Sequence, residues 1–414
     1  MSPIRKVAVI GLGYVGLPTA ATLANAGLDV LGVDIRETVV RTINAGQVHI
    51  SERDLDALVQ EVVKSGRLRA ATRPAAADAF VIAVPTPVNG DNTPNMTLVD
   101  GAVASIASVL KQGDVVIIES TSTVGTTERA ARQLAAARPD LSFPDTHPET
   151  ADVLMAYCPE RVLPGATLRE LVQNSRVLGG LDERSSQRAL ELYGHFVQGE
   201  MMVASARVAE MSKLSENAFR DVNIAFANEL AMICEDLDID VWSVIRSANL
   251  HPRVKILKPG AGVGGHCIPV DPWFIISQAP TTANLMRMAR QTNHARTHRV
   301  LDQIVSAAGS KDTPIALLGL SYKANIDDLR ESPSLELLDA LLNDGFTNIK
   351  VVEPNIDALP AAYDGRPVRL VDLNMALREA RVVAVLVDHK EFQSKRDEIR
   401  RALVTIDPVG LLSI

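Results

Sequence analysis

Val7-Ala8-Val9-Ile10-Gly11-Leu12-Gly13-Tyr14-Val15-Gly16 carries an apolar run straight into three spaced glycines. The run has the pattern of a buried parallel strand. A helix-like stretch follows over residues 17–26, and a second apolar run, Val30-Leu31-Gly32-Val33, ends in Asp34. Strand, glycine turn, helix, strand and acidic residue in this register form a dinucleotide-binding fingerprint. Gly11 permits the tight turn, Gly13 lets a pyrophosphate approach the backbone, and Gly16 lets helix pack on strand. Tyr14 and Val15 lie inside the same turn and are counted with the glycines as cofactor contacts. Asp34 can bond ribose hydroxyls and would repel a 2′-phosphate, so the expected cofactor is NAD rather than NADP.

More α/β units follow. Residues 80–84 form a strand ending in Pro85-Thr86-Pro87, and residues 115–118 a strand ending in Glu119-Ser120-Thr121. Thr86 and Thr121 therefore fall just beyond the C-terminal ends of strands, where open α/β sheets bind ligands. Residues 139–150 read as a surface excursion. Met155 to Arg161 brings a strand end followed by Glu160 and Arg161.

No strong helix breaker interrupts Ala206–Asp236, and Val208, Met211, Leu214, Ala218, Val222, Ala225 and Leu230 recur at helical spacing. One long helix is expected, of a kind suited to dimerisation. Lys213 and Asn217, four apart, share a face of it, with Arg220, Asp221 and Asn228 nearby. Helices are expected at 241–248 and 282–304. A second α/β pattern then begins: strands at 315–320, 349–352 and 382–387, helices at 334–342 and 373–379. It lacks a second G-x-G-x-x-G and should bind something other than NAD. The expected architecture is α/β. Residues 1–205 form an N-terminal Rossmann domain and 206–308 a central helical segment with the dimer interface. Residues 309–414 form a C-terminal Rossmann-like domain.

Composition narrows the function. The 414 residues are 47% hydrophobic and 22% charged, ample for large cores. A net charge of −8 and only 4% aromatic residues argue against a nucleic-acid partner. Cys158, Cys234 and Cys267 are too few and too scattered for a disulfide framework or a metal cluster. The N-terminus enters a strand with no signal peptide, and no apolar run is long enough to span a bilayer. A soluble, cytoplasmic protein without a membrane partner is expected.

The second decisive stretch is Gly260-Ala261-Gly262-Val263-Gly264-Gly265-His266-Cys267-Ile268-Pro269-Val270-Asp271. Glycine lets backbone approach a ligand closely, and a single thiol ends the run with a carboxylate four residues on. Such a loop suggests covalent catalysis by Cys267. No metal is expected at His266, Cys267 and Asp271, because hydride transfer needs no Lewis acid.

Together these motifs resemble the nucleotide-sugar 6-dehydrogenases, the UDP-glucose/UDP-mannose dehydrogenase family. The resemblance covers nearly the whole chain. It rests on Gly11 to Pro18, Val84-Pro85-Thr86-Pro87, Glu119-Ser120-Thr121, Cys158-Pro159-Glu160-Arg161, Glu210 to Asn217, the glycine loop and Asp328-Leu329-Arg330-Glu331-Ser332-Pro333. Within the family the chain is most similar to the branch acting on UDP-N-acetyl-D-mannosamine, from Gly264 to Phe274, Phe219 to Leu230 and Ile326 to Arg330. Val270 stands where the UDP-glucose branch usually has lysine. UDP-N-acetylglucosamine is the near alternative.

The resemblance implies oxidation of a C6 alcohol to a carboxylate by two NAD, through a thiohemiacetal and a thioester on Cys267, feeding a surface polysaccharide. It implies that Lys213 and Asn217 stabilise oxyanions, Asp271 relays a proton or orders water, and Glu160 with Thr121 serves thioester hydrolysis. Arg161, Arg220, Arg253 (typically from a partner subunit), Gly260, Gly264 and Lys323 are its implied sugar-nucleotide contacts. Arg330 is implied at the cofactor. A homodimer or larger assembly is expected. A single-step 3-hydroxyacid dehydrogenase would have no use for Cys267, and a non-catalytic NAD-binding scaffold would tolerate its loss.

Overall fold

The computed structural model describes residues 2–50, 52–162 and 165–413. Packing divides the chain into two compact units, Met1–Ser215 and Glu216–Ile414.

The first unit is built on an eight-stranded sheet. Its strands are β1 (Lys6–Ile10), β2 (Asp29–Val33), β3 (Leu68–Ala71), β4 (Ala79–Ile82), β5 (Val115–Ile118), β6 (Leu154–Tyr157), β7 (Arg176–Gly180) and β8 (Met201–Ser205). They lie in the order β3-β2-β1-β4-β5-β6-β7-β8, parallel except where β7 runs against β6. Side chains alternate between faces along a strand, and both faces here are covered. Val7 and Val9 enter one core with Leu17 and Leu23, while Ala8 and Ile10 enter the other with Phe80 and Val103. Burial on both faces is why the strands read as unbroken apolar runs.

The second unit carries a five-stranded, all-parallel sheet: β9 (Ile315–Leu318), β10 (Ile349–Val352), β11 (Val368–Leu370), β12 (Val382–Val385) and β13 (Val404–Ile406), in the order β11-β10-β9-β12-β13. The long helix spans Ala206–Asp236 as its periodicity predicts, and the helix expected at 282–304 runs Asn284–Ala308. The latter packs Val300, Ile304 and Ala308 into the same core as Ile315, Leu317 and Leu338. Helical segment and C-terminal sheet thereby share one core.

The two sheets repeat one device. After β1, Gly11 takes φ +93° and donates its N–H to Val33 at 2.8 Å; the next amide, Leu12, donates to Asp34 at 3.3 Å. After β9, Gly319 takes φ +95° and donates to Val352 at 2.8 Å; Leu320 donates to Glu353 at 2.7 Å. Gly11-Leu12-Gly13-Tyr14 and Gly319-Leu320-Ser321-Tyr322 occupy equivalent turns. Ser321 replaces the second glycine, and its hydroxyl closes the turn onto the Lys323 carbonyl at 2.8 Å. The side chain stands where the first sheet leaves bare backbone.

Glu353 anchors the turn that follows β9. It accepts from Leu320, Ser321 and Asn355 and lies 3.1 Å from His389 Nε2, with both side chains buried. The Asn325 amide donates to His389 Nδ1 at 3.0 Å, so Nε2 carries the proton toward Glu353. Burial opposes the charge on Glu353, but the bonds from His389, Leu320 and Asn355 outweigh it and bring the carboxyl down to about 2.

A depressed carboxyl stabilises the fold above its unfolded value and loses that contribution as pH falls toward the folded value. Glu353→Gln should therefore cost about 1.5–3 kcal/mol near neutral pH. The deficit against wild type should shrink as pH falls from the usual glutamate range toward about 2. Denaturant unfolding of both proteins across that range checks it; a pH-independent deficit would count against the charge.

Candidate active site

In the first unit the ends of β1, β2, β4 and β5 converge. A Cβ on Gly11 would stand 2.6 Å from the Ala83 carbonyl oxygen, and one on Gly16 would stand 1.8 Å from the Gly11 oxygen. Both glycines are demanded by the protein itself. Gly13 differs, since a Cβ there meets no protein atom within 4 Å. The helix Gly16–Asn25 begins at Val15 with no side-chain cap, and Tyr14 lies exposed beside it. Asp34 is buried at the end of β2 and takes the Arg36 guanidinium by two bonds, at 3.1 and 3.2 Å. Burial opposes its charge, yet the bonds from Arg36 and Leu12 hold its carboxyl below the usual range.

Thr86 and Thr121 lie on neighbouring loops joined by Ser120, whose hydroxyl donates to the Val84 carbonyl at 2.7 Å. Glu119, fully buried, anchors the second loop. It accepts from Thr19 at 3.2 Å, from Arg176 at 3.2 Å and from Tyr193 at 3.3 Å. Burial pushes the Glu119 carboxyl up, and Arg176 opposes that push. Glu160 follows β6, half-buried, and bonds the Val162 amide. Next to it the Arg161 guanidinium donates to the Ser175 carbonyl, and its own carbonyl accepts from Asn174 at 3.0 Å.

Lys213 is buried on the long helix. Three residues earlier, buried Glu210 accepts from the Gly125 amide at 2.6 Å and the Thr127 amide at 2.9 Å. It thereby caps the helix Thr126–Ala137 from outside, where amides lack helical partners. This clamp fixes the first turns of the long helix on the first unit and sets the direction of Lys213.

In the second unit, Cys267 through Val270 turn into the helix Asp271–Gln278, and the Asp271 amide donates to the Cys267 carbonyl at 2.8 Å. Asp271 is buried, and Asn217 on the long helix donates to its Oδ2 at 2.6 Å. Three sequence-predicted residues, Asn217, Asp271 and Cys267, are thus joined in one short path. Cys267 is exposed, whereas Cys158 and Cys234 are buried. Burial pushes Cys158 up to about 11 and also raises Cys234. Only Cys267 has the access a nucleophile needs. His266 lies 3.8 Å from Asp328. Burial and the charge of Arg330 push its imidazole below the usual range. It is therefore not the cation that activates its neighbour.

The glycine loop departs from its sequence reading in one respect. Gly262, Gly264 and Gly265 are glycine because the protein presses on them. A Cβ would stand 2.3 Å from Thr297 Oγ1, 2.4 Å from the Glu331 carbonyl oxygen and 2.9 Å from the Tyr322 ring, respectively. Gly260 is less crowded, its nearest such atom being the Gly262 oxygen at 3.7 Å. Arg220, Arg253 and Lys323 are exposed. Arg330 is exposed too, with its guanidinium held by both oxygens of Asp328 at 2.9 and 2.8 Å.

Comparison with known proteins places these features in context. Residues 5–197 match the NAD binding domain of the UDP-glucose/GDP-mannose dehydrogenase family, 207–295 its central domain and 316–413 its UDP binding domain. An NDP-N-acetyl-D-galactosaminuronic acid dehydrogenase of Ralstonia nicotianae is 52% identical over 410 residues, covering 99% of this chain and 96% of that protein. A UDP-N-acetyl-D-mannosamine dehydrogenase of Campylobacter jejuni is 53% identical over 395 residues, covering 95% and 97%. The solved UDP-D-ManNAc dehydrogenase of Pyrococcus horikoshii superposes with a TM-score of 0.86 at 37% identity, covering 98% of this chain and 96% of that one.

Sequence reasoning missed the residues that hold the glycine loop. Asp221 and Asn228 look like part of a solvated stripe, but both are fully buried. Asn228 accepts the Gly260 amide at 2.9 Å and donates to Asn293 at 2.9 Å; Asp221 takes Arg290 at 2.6 Å. Arg296, also buried, donates to the Gly260 carbonyl at 3.0 Å and pairs with Glu235 at 2.6 Å. The sequence signal is the surplus of polar residues on two helices rather than one. Asn228→Ala leaves the half-buried Gly260 amide and the buried Asn293 amide carbonyl without this partner. Each such loss costs about 1–3 kcal/mol, and urea unfolding should show a drop of that order; an unchanged midpoint would show that the clamp holds nothing.

Proposed function

The chain belongs to the UDP-glucose/GDP-mannose dehydrogenase family, and on that premise we propose that it oxidises UDP-N-acetyl-D-mannosamine at C6 to the uronate. The observation that carries the reading is Cys267, the exposed member of three cysteines, seated at the end of a loop tied through Asp271 to Asn217. Residues 5–197 fit NAD. Gly13 leaves backbone bare, the helix at Gly16 begins uncapped, and charged Asp34 stands at the ribose position of the fingerprint. Arg36 commits its fork to Asp34, so the carboxylate keeps its charge and disfavours a 2′-phosphate. Tyr14, Val15, Thr86 and Arg330 complete the proposed cofactor contacts. When bound, NAD supplies the hydride acceptor for both oxidations.

The protein's own work is to hold one carbon through four electrons. Lys213 and Asn217, one turn apart, donate to the C6 oxygen as it becomes alkoxide and later tetrahedral oxyanion. One such donor is typically worth about 3 kcal/mol. Asp271 takes the first proton through ordered water. The Cys267 sulfur adds to the aldehyde carbon and gives a thiohemiacetal. Loss of the second hydride and the hydroxyl proton leaves a thioester. Glu160, with Thr121, draws a proton from water, which attacks the thioester; the C–S bond breaks and the thiol is restored. Arg161, Arg220, Arg253, Lys323 and the amides at Gly260 and Gly264 take the sugar nucleotide.

A second reading has a specific basis: the Ralstonia relative is named for N-acetyl-D-galactosaminuronic acid. The galactosamine derivative, which differs from the first choice at both C2 and C4, is therefore tested beside it. Among the described residues no helix is long and apolar enough to cross a membrane. We place the enzyme in the cytoplasm, with its product feeding a surface polysaccharide.

We also propose a homodimer. Phe219, Phe226 and Ile233 recur every seven residues on the long helix and are 72, 56 and 47% exposed, with Leu237 extending the stripe. A seven-residue apolar seam on a helix suits a second copy of the same helix.

NADH release, measured with UDP-N-acetyl-mannosamine, -galactosamine and -glucosamine and with UDP-glucose, tests the substrate. Two NADH per mannosamine derivative are expected, with NADP a poor substitute; one NADH per sugar would sink the four-electron scheme. Cys267→Ser should bind sugar and NAD normally yet lose turnover by about a thousandfold or more, because a serine hydroxyl is a weak nucleophile at neutral pH. Near wild-type rates in that variant would remove the covalent step. Sedimentation should give a dimer, and Phe226→Glu should shift it toward monomer; a fully active wild-type monomer would refute the seam.

A further inference from the structure

The Asn284–Ala308 helix carries His294-Ala295-Arg296-Thr297-His298. Two histidines four apart share a helix face, the spacing by which helices present a pair of imidazoles to zinc. Here the rings do meet. His294 Nε2 and His298 Nε2 are 3.0 Å apart, with the rings edge to face at 88°. Two nitrogens bound to one tetrahedral zinc at about 2.0–2.1 Å stand roughly 3.3 Å apart, so the pair needs little adjustment. A third donor comes from another element. Glu336, on the helix Pro333–Asn343, places a carboxylate oxygen 3.5 Å from His294 Nδ1. One ligand atom from each of the three lies within 4.8 Å of the others. All three are exposed, so an ion can reach them. His294 and Glu336 also line a cavity of about 610 Å³ with Glu331, a further carboxylate that favours a cation, and Asp339, which is paired with Arg366 at 2.8 Å. The cationic wall residue Arg290 is already paired with Asp221.

We propose that His294, His298 and Glu336 form a site for a divalent transition ion of the zinc class, which clasps the helix Asn284–Ala308 to the helix Pro333–Asn343. Imidazole nitrogens select zinc, cobalt or nickel over magnesium and calcium, which take oxygen ligands. The site is not hydrolytic: Ala295 stands where the zinc-hydrolase pattern H-E-x-x-H has its general base. Its consequence is mechanical. The first helix holds the glycine loop through Arg296 at Gly260 and presses Thr297 on Gly262. The second begins at Pro333, whose ring also presses on Gly262. An ion joining the two helices stiffens the walls between which the loop of Cys267 is packed. This rests on the cluster alone and is independent of the proposed reaction.

Untagged protein, stripped with chelator, is titrated with Co2+ and followed by visible absorption. One Co2+ per chain is expected, with ligand-field bands, no thiolate-to-cobalt charge transfer, displacement by Zn2+ and no competition from Mg2+. Zn2+ should raise the melting temperature of the wild-type protein. His298→Gln and Glu336→Gln should each weaken binding by at least about 10–100-fold, the loss that removal of even an outer-shell partner of a metal ligand causes. The double variant of His294→Gln and His298→Gln should lose the bands entirely. These are exposed positions, and wild-type circular dichroism in each variant confirms folding. Absence of stoichiometric binding, a thiolate band that puts the ion on Cys267, or undiminished binding in the double variant would overturn the site.

Discussion

The backbone of Gly260 is the point on which the second unit depends. A half-buried amide and carbonyl are costly to leave without partners. Asn228 accepts the amide, and Arg296 donates to the carbonyl. The two partners come from different helices, so one residue of loop joins them. Around it, Asn293 pairs with Asn228, Arg290 with Asp221 and Glu235 with Arg296. Loss of one member of such a buried network is costly, because its partner is left without a bond. The loop that ends in Cys267 therefore leaves a fixed origin.

The same economy of means operates at the strand ends. In each sheet a carboxylate at the tip of the second strand accepts the amide that follows the first glycine, Asp34 with Leu12 and Glu353 with Leu320. What differs is the next residue. Gly13 leaves the turn open, while Ser321 fills and closes it. One side chain thus separates a turn suited to a pyrophosphate from one sealed by its own hydroxyl. The buried His389–Glu353 pair completes the closure in the second sheet.

Function follows from these anchors. A thiol is useful for holding an aldehyde only if it is accessible and its loop does not wander. Cys267 is exposed, and its carbonyl is tied to Asp271 and through it to Asn217. The long helix bearing Asn217 also bears Lys213, and the Glu210 clamp sets its first turns. Family membership and these local constraints agree on the class of chemistry.

Much was legible in the sequence. The fingerprint from Val7 to Asp34, the uninterrupted helix Ala206–Asp236 and the apolar strands of both sheets are local patterns, and local patterns survive folding because burial on a face has a fixed period. The candidacy of Cys267 was legible too, since a lone thiol closing a glycine run is a feature of the chain itself. Tertiary structure decided the rest. It showed that Gly262, Gly264 and Gly265 answer to Thr297, Glu331 and Tyr322, and that Asp221 and Asn228 are buried clamps rather than a solvated face. It also brought Glu336 to His294 and His298. Each of these joins residues dozens of positions apart. Periodicity tells which face of an element is buried; which neighbour meets it is set only when the elements pack.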